Sequence, residues 1–304
     1  MMKRTTVFWC MLGTALISLG LICFLITMSS VGWKFSAIDG NLYTTNTHTL
    51  SGNVTDISLD LPEADISILP LETGEARVVC YEQEGLTHAV SLENGTLSIT
   101  ADDNRAWYDH ILSFGGSAIT IYLPAGTYSD FALEADTVDV TLSKDFTFES
   151  VHISLTTGDV RSYASALTEI NISTTTGDIT LRDLTAPTIT LSQNTGDADL
   201  QGITCHDLTS TATTGDLEME GVIAEGNLRV ERDTGDVDFE GCDAGYISIQ
   251  TTTGDIEGSF LTDKSFHTYS STGDVRVPLG TTGGTCKLST TTGDIEVFIK
   301  GARP

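Results

Sequence analysis

Carboxylates recur at alternate positions after a repeated Thr-Gly-Asp tripeptide in the second half of the chain. Ten of the twelve residues one, three and five positions after four successive glycines of this tripeptide are acidic. Alternate residues of a strand share one face, so these carboxylates are expected on one solvent-facing sheet, about 5 Å from those on adjacent strands. Calcium, which accepts several carboxylate oxygens, or a basic partner would relieve their repulsion. The candidate residues of this face are Asp197, Asp199, Asp216, Glu218, Asp236, Asp238, Asp255 and Glu257.

A solvated acidic surface that keeps the protein soluble is the alternative for the same residues. The repeat lacks the glycine-rich nonapeptide of calcium-binding β-rolls. Calcium is therefore a candidate on the strength of the carboxylates alone, and no other cofactor is expected. The whole chain is acidic, with 42 Asp and Glu against 15 Lys and Arg and a formal net charge of −27. This scarcity of cations argues against nucleic-acid binding and against docking onto anionic lipid headgroups.

Two further sets of residues could bind a partner. Trp107 and Tyr108 lie in an aromatic segment between strand-like sequences, which would either bind a partner or fold over one end of the protein as a cap. The threonines of the tripeptides, if stacked in a row, could bind a glycan or simply hydrogen-bond along the stack. An unidentified protein or glycan is therefore the expected partner.

Residues that would indicate catalysis or a transition-metal site are scattered. Four cysteines outside the N-terminal apolar stretch are far apart, with no Cys-x-x-Cys and no His at metal-ligand spacing. This favours buried apolar cysteines over a zinc site, although one disulfide is compatible with their number. The six histidines form no cluster, and no Gly-x-Ser-x-Gly or phosphate-binding glycine motif is present. The sequence therefore predicts no catalytic residues and no enzyme, and leaves metal ligands unassigned. These cysteines are Cys80, Cys205, Cys242 and Cys286.

The tripeptide marks a repeat, with glycine-to-glycine intervals of 19, 19, 19, 20, 19, 19 and 20 residues. Seven and five residues before each glycine, and two and four after it, the residues are mostly apolar, with polar residues between them. Each repeat is therefore predicted to form a strand, a bend and a second strand, with no room for a helix. The bend glycines supply a backbone conformation that other residues resist. They are Gly158, Gly177, Gly196, Gly215, Gly235, Gly254, Gly273 and Gly293.

Stacked repeats bury a continuous core that one repeat cannot bury alone. We therefore predict an all-β protein, a parallel β-solenoid with about 19–20 residues per coil. Residues 125–304 form the regular repeats, and residues 51–124 are expected to be an irregular N-terminal part and cap. Residues 31–50 are assigned to a linker. The charges and proline of residues 298–304 are expected to protect the open end of the stack.

Residues 1–30 have the features of a cytoplasmic stub and a transmembrane signal anchor. Lys3 and Arg4 precede an uncharged run from about Val7 to Met28, whose helix at ~1.5 Å per residue would be about 33 Å long and cross a bilayer core. The positive charges predict the short N-terminal side inside and the bulk of the chain outside. A cleaved signal peptide is the alternative, but the run is longer than usual and no clear Ala-x-Ala site follows. We expect a single-pass protein of the cell membrane whose solenoid is extracellular.

Three segments carry a resemblance to a known family. They are the recurrent Thr-Gly-Asp-apolar rungs, Glu-Asn-Gly-Thr-Leu-Ser-Ile at residues 93–99 and Ile-Thr-Ile-Tyr-Leu-Pro at residues 119–124. With them the chain resembles the bacterial putative-adhesin β-repeat family, a domain of unknown function, over about residues 50–300. Members often follow an N-terminal membrane segment, and the resemblance supplies no catalytic residues. The predicted function is a non-catalytic adhesion or interaction module at the bacterial cell surface. An envelope-stress sensing or signalling accessory that works through a membrane partner is the alternative.

Overall fold

The computed structural model of the protein describes residues 4–30, 43–105, 116–279 and 282–300. Within these ranges it holds one α-helix, α1 (Arg4–Ser30), and otherwise strands joined by turns. The segment Met11–Ser30 of α1 is long and apolar enough to cross a membrane, and most of its side chains are exposed. Trp107 and Tyr108, the candidate binding loop of the sequence analysis, lie outside the described residues.

The first seven strands precede the regular array. They are β1 (Tyr43–Thr49), β2 (Asp56–Glu63), β3 (Asp65–Pro70), β4 (Arg77–Gln83), β5 (Leu86–Glu93), β6 (Thr96–Asp103) and β7 (Ala118–Leu123). Strand β1 falls in the range that the sequence analysis assigns to a linker. It pairs antiparallel with β4, and most of its side chains are exposed. An edge strand exposed in this way needs no apolar alternation, which is why its threonine-rich sequence gives no strand signal.

From β8 onward the chain alternates between two sheets. We call the sheet formed by the strands before each bend the long sheet, and that formed by the strands after it the short sheet. Strand β19 begins in the short sheet and continues into the long sheet. The remaining strands are β8 (Gly126–Thr137), β9 (Val140–Leu142), β10 (Phe146–Thr157), β11 (Val160–Ser162), β12 (Ser165–Thr176), β13 (Ile179–Arg182), β14 (Thr185–Thr195), β15 (Ala198–Gln201), β16 (Thr204–Thr214), β17 (Leu217–Glu220), β18 (Ile223–Thr234), β19 (Val237–Thr253), β20 (Ile256–Phe260), β21 (Lys264–Thr272), β22 (Val275–Arg276), β23 (Gly284–Thr292) and β24 (Ile295–Ile299).

The apolar positions of successive coils stack in register and form the core. Ile170 pairs with Ile189, and Ile189 pairs with Leu208, along the parallel ladder of the long sheet. All three side chains are buried, and the polar residues between apolar positions face outward. Because strand side chains alternate, a slip of one residue would turn the apolar set to solvent, so the pattern fixes the register. The predicted parallel β-solenoid is confirmed, with about 8 turns.

The coils at the C-terminal end do not stack in chain order. Strand β23 pairs with β19 on one side and with β21 on the other, and β24 lies between β20 and β22. The last coil of the chain is thus inserted before the preceding one. The expectation that residues 298–304 protect the open end is therefore wrong for the described residues among them, because the end is formed by β21 and β22.

Burial gives a physical reason for this insertion. At two core positions the end coil has the polar Thr268 and the smaller Val275, paired in register with Leu288 and Ile295 of the inserted coil. The inserted coil places Leu288 and Ile295 at the same positions, where both are fully buried. A coil at the end of a solenoid has a neighbouring coil on only one side, so its apolar side chains are less buried. The least apolar coil therefore loses the least hydrophobic stabilisation at that place.

The N-terminal end repeats this arrangement. Strand β2 lies between β8 and β6, and β3 lies between β9 and β7, so the coil nearer the chain terminus is again the inner one of the last two. Three antiparallel pairings then complete this end: β5 pairs with β6 in the long sheet, and β4 pairs with β7 and with β1 in the short sheet. Antiparallel strands there break the parallel stacking that would otherwise continue.

Candidate binding face

The glycine bends bring the backbones of successive coils into close approach. The eight bend glycines have φ between +132° and +150°, a region that favours glycine. A Cβ on Gly215 would lie 2.0 Å from the carbonyl oxygen of Gly196 in the neighbouring coil, and the other bends are equally tight. No side chain fits at this distance, so the glycine sets how closely the coils stack.

The aspartate after each bend glycine bonds to the next coil. The Oδ1 atom of Asp197 accepts a hydrogen bond of 2.8 Å from the backbone N–H of Asp216, and Asp216 accepts one of 2.8 Å from Asp236. The same bond repeats along the stack from Asp139 to Asp274. Hydrogen bonds to charged acceptors contribute about 1.5–3 kcal/mol each. Each bend carboxylate of the predicted acidic face therefore uses one of its two oxygens to stabilise the stack.

Polar side chains inside the solenoid bond to the same bends. Gln193 donates to the carbonyl oxygen of Gly177 at 3.1 Å, and Thr251 donates to that of Gly235 at 3.2 Å. Both side chains are buried three positions before a bend glycine. These inward side chains donate hydrogen bonds to backbone carbonyls that have no partner in the strand ladder. Buried polar groups in folded proteins almost always have a hydrogen-bond partner.

The acidic residues three positions after each bend glycine form a row on the outer surface of the short sheet. Asp199 pairs in register with Glu218, Glu218 with Asp238, and Asp238 with Glu257. Register partners in a sheet lie about 4.8 Å apart, so these carboxylates repel each other. The row is not uniform, because Arg182 forms an ion pair with Asp199. Glu218, Asp238 and Glu257 have no ion-pair partner among the described residues.

Burial and neighbouring negative charges raise the pKa of two carboxylates in this row. Partial burial raises the pKa of Asp238, and the neighbouring carboxylates of Asp236, Asp216 and Asp255 raise it further. The pKa of Glu257 is raised in the same way, first by desolvation and then by the acidic residues around it. A positive charge placed between these carboxylates would be attracted by all of them.

A shallow groove of about 450 Å³ runs along this row. Six carboxylates line it, and Gly258, at a position that is usually apolar in other coils, leaves room for the ring of Phe239. Phe298 stands at the groove with 56% of its side chain exposed. Lys300 pairs with Glu240 at 3.1 Å, and Arg276 pairs with Glu296 at 3.0 Å. The carboxylates of the groove are Glu218, Glu220, Asp238, Glu240, Glu257 and Glu296.

The family of the chain follows from two overlapping matches. The Toastrack DUF4097 family matches residues 54–220 and 162–303, which together include the solenoid and its groove. The chain belongs to the Toastrack DUF4097 family. This confirms the resemblance to a β-repeat family of unknown function. Among the curated proteins, none matches this Toastrack chain.

Solved structures of bacterial proteins resemble this Toastrack chain only distantly. A protein from Bacteroides fragilis described as a putative adhesin has a TM-score of 0.48 and 15% identity, over 84% of this chain and 97% of its own. Another so described, from Parabacteroides merdae, has a TM-score of 0.43 and 11% identity, over 72% and 96%. A putative lipid binding protein from Parabacteroides distasonis has a TM-score of 0.37 and 12% identity, over 85% and 98%. Likeness at this level carries no inference about the ligand of this chain.

The Toastrack fold places the other sequence candidates apart from the groove. The threonines of the bends are exposed in a row along one corner of the solenoid. The four cysteines outside α1 are all buried and free, as the sequence predicts for apolar cysteines. Ser259, five positions after a bend glycine, is buried instead of solvent-facing, and it accepts a 2.9 Å hydrogen bond from the backbone N–H of Gly241.

The structure also brings together three residues that the sequence analysis does not connect. Cys80, Glu82 and His88 are buried, and one ligand atom from each lies within 4.8 Å of the other two. Burial, and then the Glu82 carboxylate, raise the pKa of the Cys80 thiol to about 12. The signal in the sequence is alternation: Cys80 and Glu82 share one face of a strand, and His88 follows the turn at Glu84-Gly85. Spacing rules for metal motifs do not cover this combination.

Proposed function

We propose that the protein is a non-catalytic adhesion or interaction module, held in the membrane by α1 with its solenoid outside the cytoplasm. The apolar length of α1 supports the anchor, and the positive Lys3 and Arg4 before it support the orientation. A solenoid on such an anchor presents its outer sheet surfaces to the surroundings of the cell.

The acidic groove on the short sheet is the binding surface in this proposal. Its unpaired carboxylates, Glu218, Asp238 and Glu257, lie side by side on adjacent strands and offer acceptors to a cation. The exposed ring of Phe298 beside them adds an apolar contact. This combination fits a lysine- or arginine-rich protein segment better than a neutral glycan, because long cationic side chains have both charged ends and apolar stems.

The same groove supports binding and not catalysis. Catalysis by carboxylates needs a pair with different environments around a reacting group, or a nucleophile beside a general base. The carboxylates that line the groove are instead equivalent in position from coil to coil and open to solvent. They would attract a cationic surface along the whole stack, but they are not arranged to react with one atom of a bound molecule.

A charge-matched pair of variants tests this proposal. We expect the full chain in detergent to bind a fluorescent oligolysine peptide, and the double variant Asp238→Asn, Glu257→Gln to bind it several-fold more weakly. The control is Glu134→Gln, Glu149→Gln, which removes the same charge from exposed positions of the long sheet. Its affinity should stay near that of the wild type. Equal losses in both double variants would mean that net charge, and not the groove, attracts the peptide.

Calcium is the second occupant to test at this groove. A cation that binds only the folded groove would raise the melting temperature as its concentration passes its dissociation constant. Sodium chloride at matched ionic strength would reproduce simple screening. We expect a calcium effect beyond the sodium effect in the wild type, and a smaller one in Asp238→Asn, Glu257→Gln. If calcium and sodium act alike, the groove takes no specific metal and the calcium assignment is withdrawn.

A further inference from the structure

The polar cluster at the N-terminal end of the solenoid lies where its two sheets meet. Strand β4 belongs to the short sheet and β5 to the long sheet, and Gly85, at φ +90°, turns the chain between them. Alternation along β4 points Cys80 and Glu82 inward, and His88 points inward from β5. Their exposed fractions are 0%, 2% and 4%. Three chemically different ligand groups from two sheets thus converge in the interior.

Hydrogen bonding leaves one atom of this cluster without a partner. Glu82 Oε1 accepts from the backbone N–H of His88 at 2.6 Å and lies 3.0 Å from His88 Nδ1, while Oε2 accepts from Asn46. A carboxylate only accepts, so the network assigns the ring proton to Nδ1. His88 Nε2 is buried, and no described residue hydrogen-bonds to it. If the ring were doubly protonated, Nε2–H would be a buried donor without an acceptor.

A second buried polar atom without a partner lies at the same level of the sheet. Ser117 precedes Ala118, which is the register partner of Tyr81, so Ser117 lies beside Glu82 in the short sheet. Its hydroxyl oxygen is buried and has no hydrogen-bond partner among the described residues. Buried polar groups in folded proteins are almost always satisfied, and a species bound beside the cluster would give both atoms a partner.

We propose that Cys80, Glu82 and His88 bind a divalent metal ion of the zinc type at the N-terminal end of the solenoid. A sulfur, a nitrogen and an oxygen ligand together suit zinc, which takes Cys, His and carboxylate groups in tetrahedral sites. Calcium and magnesium prefer oxygen ligands alone, so this site and the acidic groove would take different ions. On binding, the S–H bond of Cys80 breaks, a sulfur–metal bond forms and one proton leaves to solvent.

The position of the cluster indicates what the metal does. Strands β4 and β5 cover the outermost parallel coil, formed by β7 and β6, and the short sheet and the long sheet are joined there by a single turn. A metal held by Cys80 and Glu82 from one sheet and by His88 from the other would tie the two sheets together. Binding to the folded end alone would then stabilise it.

A buried ion pair between Glu82 and His88 is the competing interpretation. That pair accounts for the 3.0 Å contact but gives no role to the Cys80 sulfur within the same 4.8 Å group, and it leaves Nε2 unsatisfied. The two interpretations differ in one observable, which is whether a metal bonds to a thiolate.

Cobalt(II) substitution provides that observable. The full chain in detergent is stripped with a chelator and titrated with cobalt(II), and the near-ultraviolet charge-transfer band of a cobalt–thiolate bond is recorded. We expect the band to saturate at one equivalent, zinc to abolish it, and zinc to raise the melting temperature. Exposed histidines such as His152 and His206 can bind cobalt without producing a thiolate band. A wild-type protein that shows no such band overturns the proposal without reference to any variant.

Two conservative variants and one control locate the site. Cys80→Ser should lose the band, and Glu82→Gln, which keeps one acceptor oxygen for the His88 amide but replaces the oxygen that accepts from Asn46 with an NH2 group, should weaken cobalt binding at least tenfold. Cys205→Ser removes another buried thiol, from the middle of the solenoid, and should keep the band. A band that survives Cys80→Ser, or that disappears in folded Cys205→Ser, places the thiolate elsewhere and overturns the assignment. Circular dichroism of each metal-free variant shows whether it has folded.

Discussion

Each bend residue is fixed by a contact with another coil. The glycine is needed because a Cβ would meet a carbonyl oxygen of the coil on one side, and the aspartate because its Oδ1 accepts an N–H of the coil on the other side. The sequence predicts the bend and its glycine from spacing alone. It does not predict the partner of the aspartate, because a repeat shows that residues are equivalent without showing which atoms meet between copies.

At the residue scale, stability should depend on the alternation of inward and outward positions. Ile249 is 1% exposed, so Ile249→Asp buries a charge without a partner and should lower the free energy of unfolding by several kcal/mol, about 3 or more. Its neighbour Ser248 faces outward between the register partners Arg229 and Lys287. Ser248→Asp should therefore change the free energy of unfolding by about 0.5 kcal/mol or less. Denaturant unfolding measures both, and similar midpoints for the two variants would contradict the register.

At the scale of elements, the coils are equivalent in shape but not in order. Glycine spacing and alternation are sufficient to predict the strands, the bends and the parallel pairing, and the structure confirms them. The order of the end coils is not encoded in that periodicity. It follows from the relative apolarity of the residues at the core positions of whole coils. The acidic groove could be located from alternation, whereas which of its carboxylates lack an ion pair depends on where Lys300 and Arg276 lie.

The insertion of the last coil can be tested by cross-linking. Ser248 and Lys287 are register partners, whereas His267 lies one strand further out, beyond Lys287. The Cα atoms of a disulfide lie about 4.4–6.8 Å apart, and strands two positions apart are separated by about 9.6 Å. The pair Ser248→Cys, Lys287→Cys should therefore form a disulfide under mild oxidation, and Ser248→Cys, His267→Cys should not. The reverse result would show that the coils stack in chain order.

At the scale of the whole molecule, an apolar helix precedes an acidic β-solenoid of the Toastrack DUF4097 family. Composition and the N-terminal charges predict this organisation without the fold. The metal ligands Cys80, Glu82 and His88 could not be predicted in this way, because they meet only when the turn at Gly85 folds one sheet onto the other. The proposed adhesion or interaction role requires that α1 places the solenoid on the outer side of the membrane.

That location is tested most directly by an alkaline phosphatase fused after Pro304, since this enzyme is active only outside the reducing cytoplasm. We predict high phosphatase activity in intact cells that produce the full chain with the fusion. The matched control starts at residue 31 and so lacks α1, and its activity should be low. An inactive full-length fusion, produced in the same amount as an active secreted phosphatase, would place the solenoid in the cytoplasm and contradict the proposed surface function.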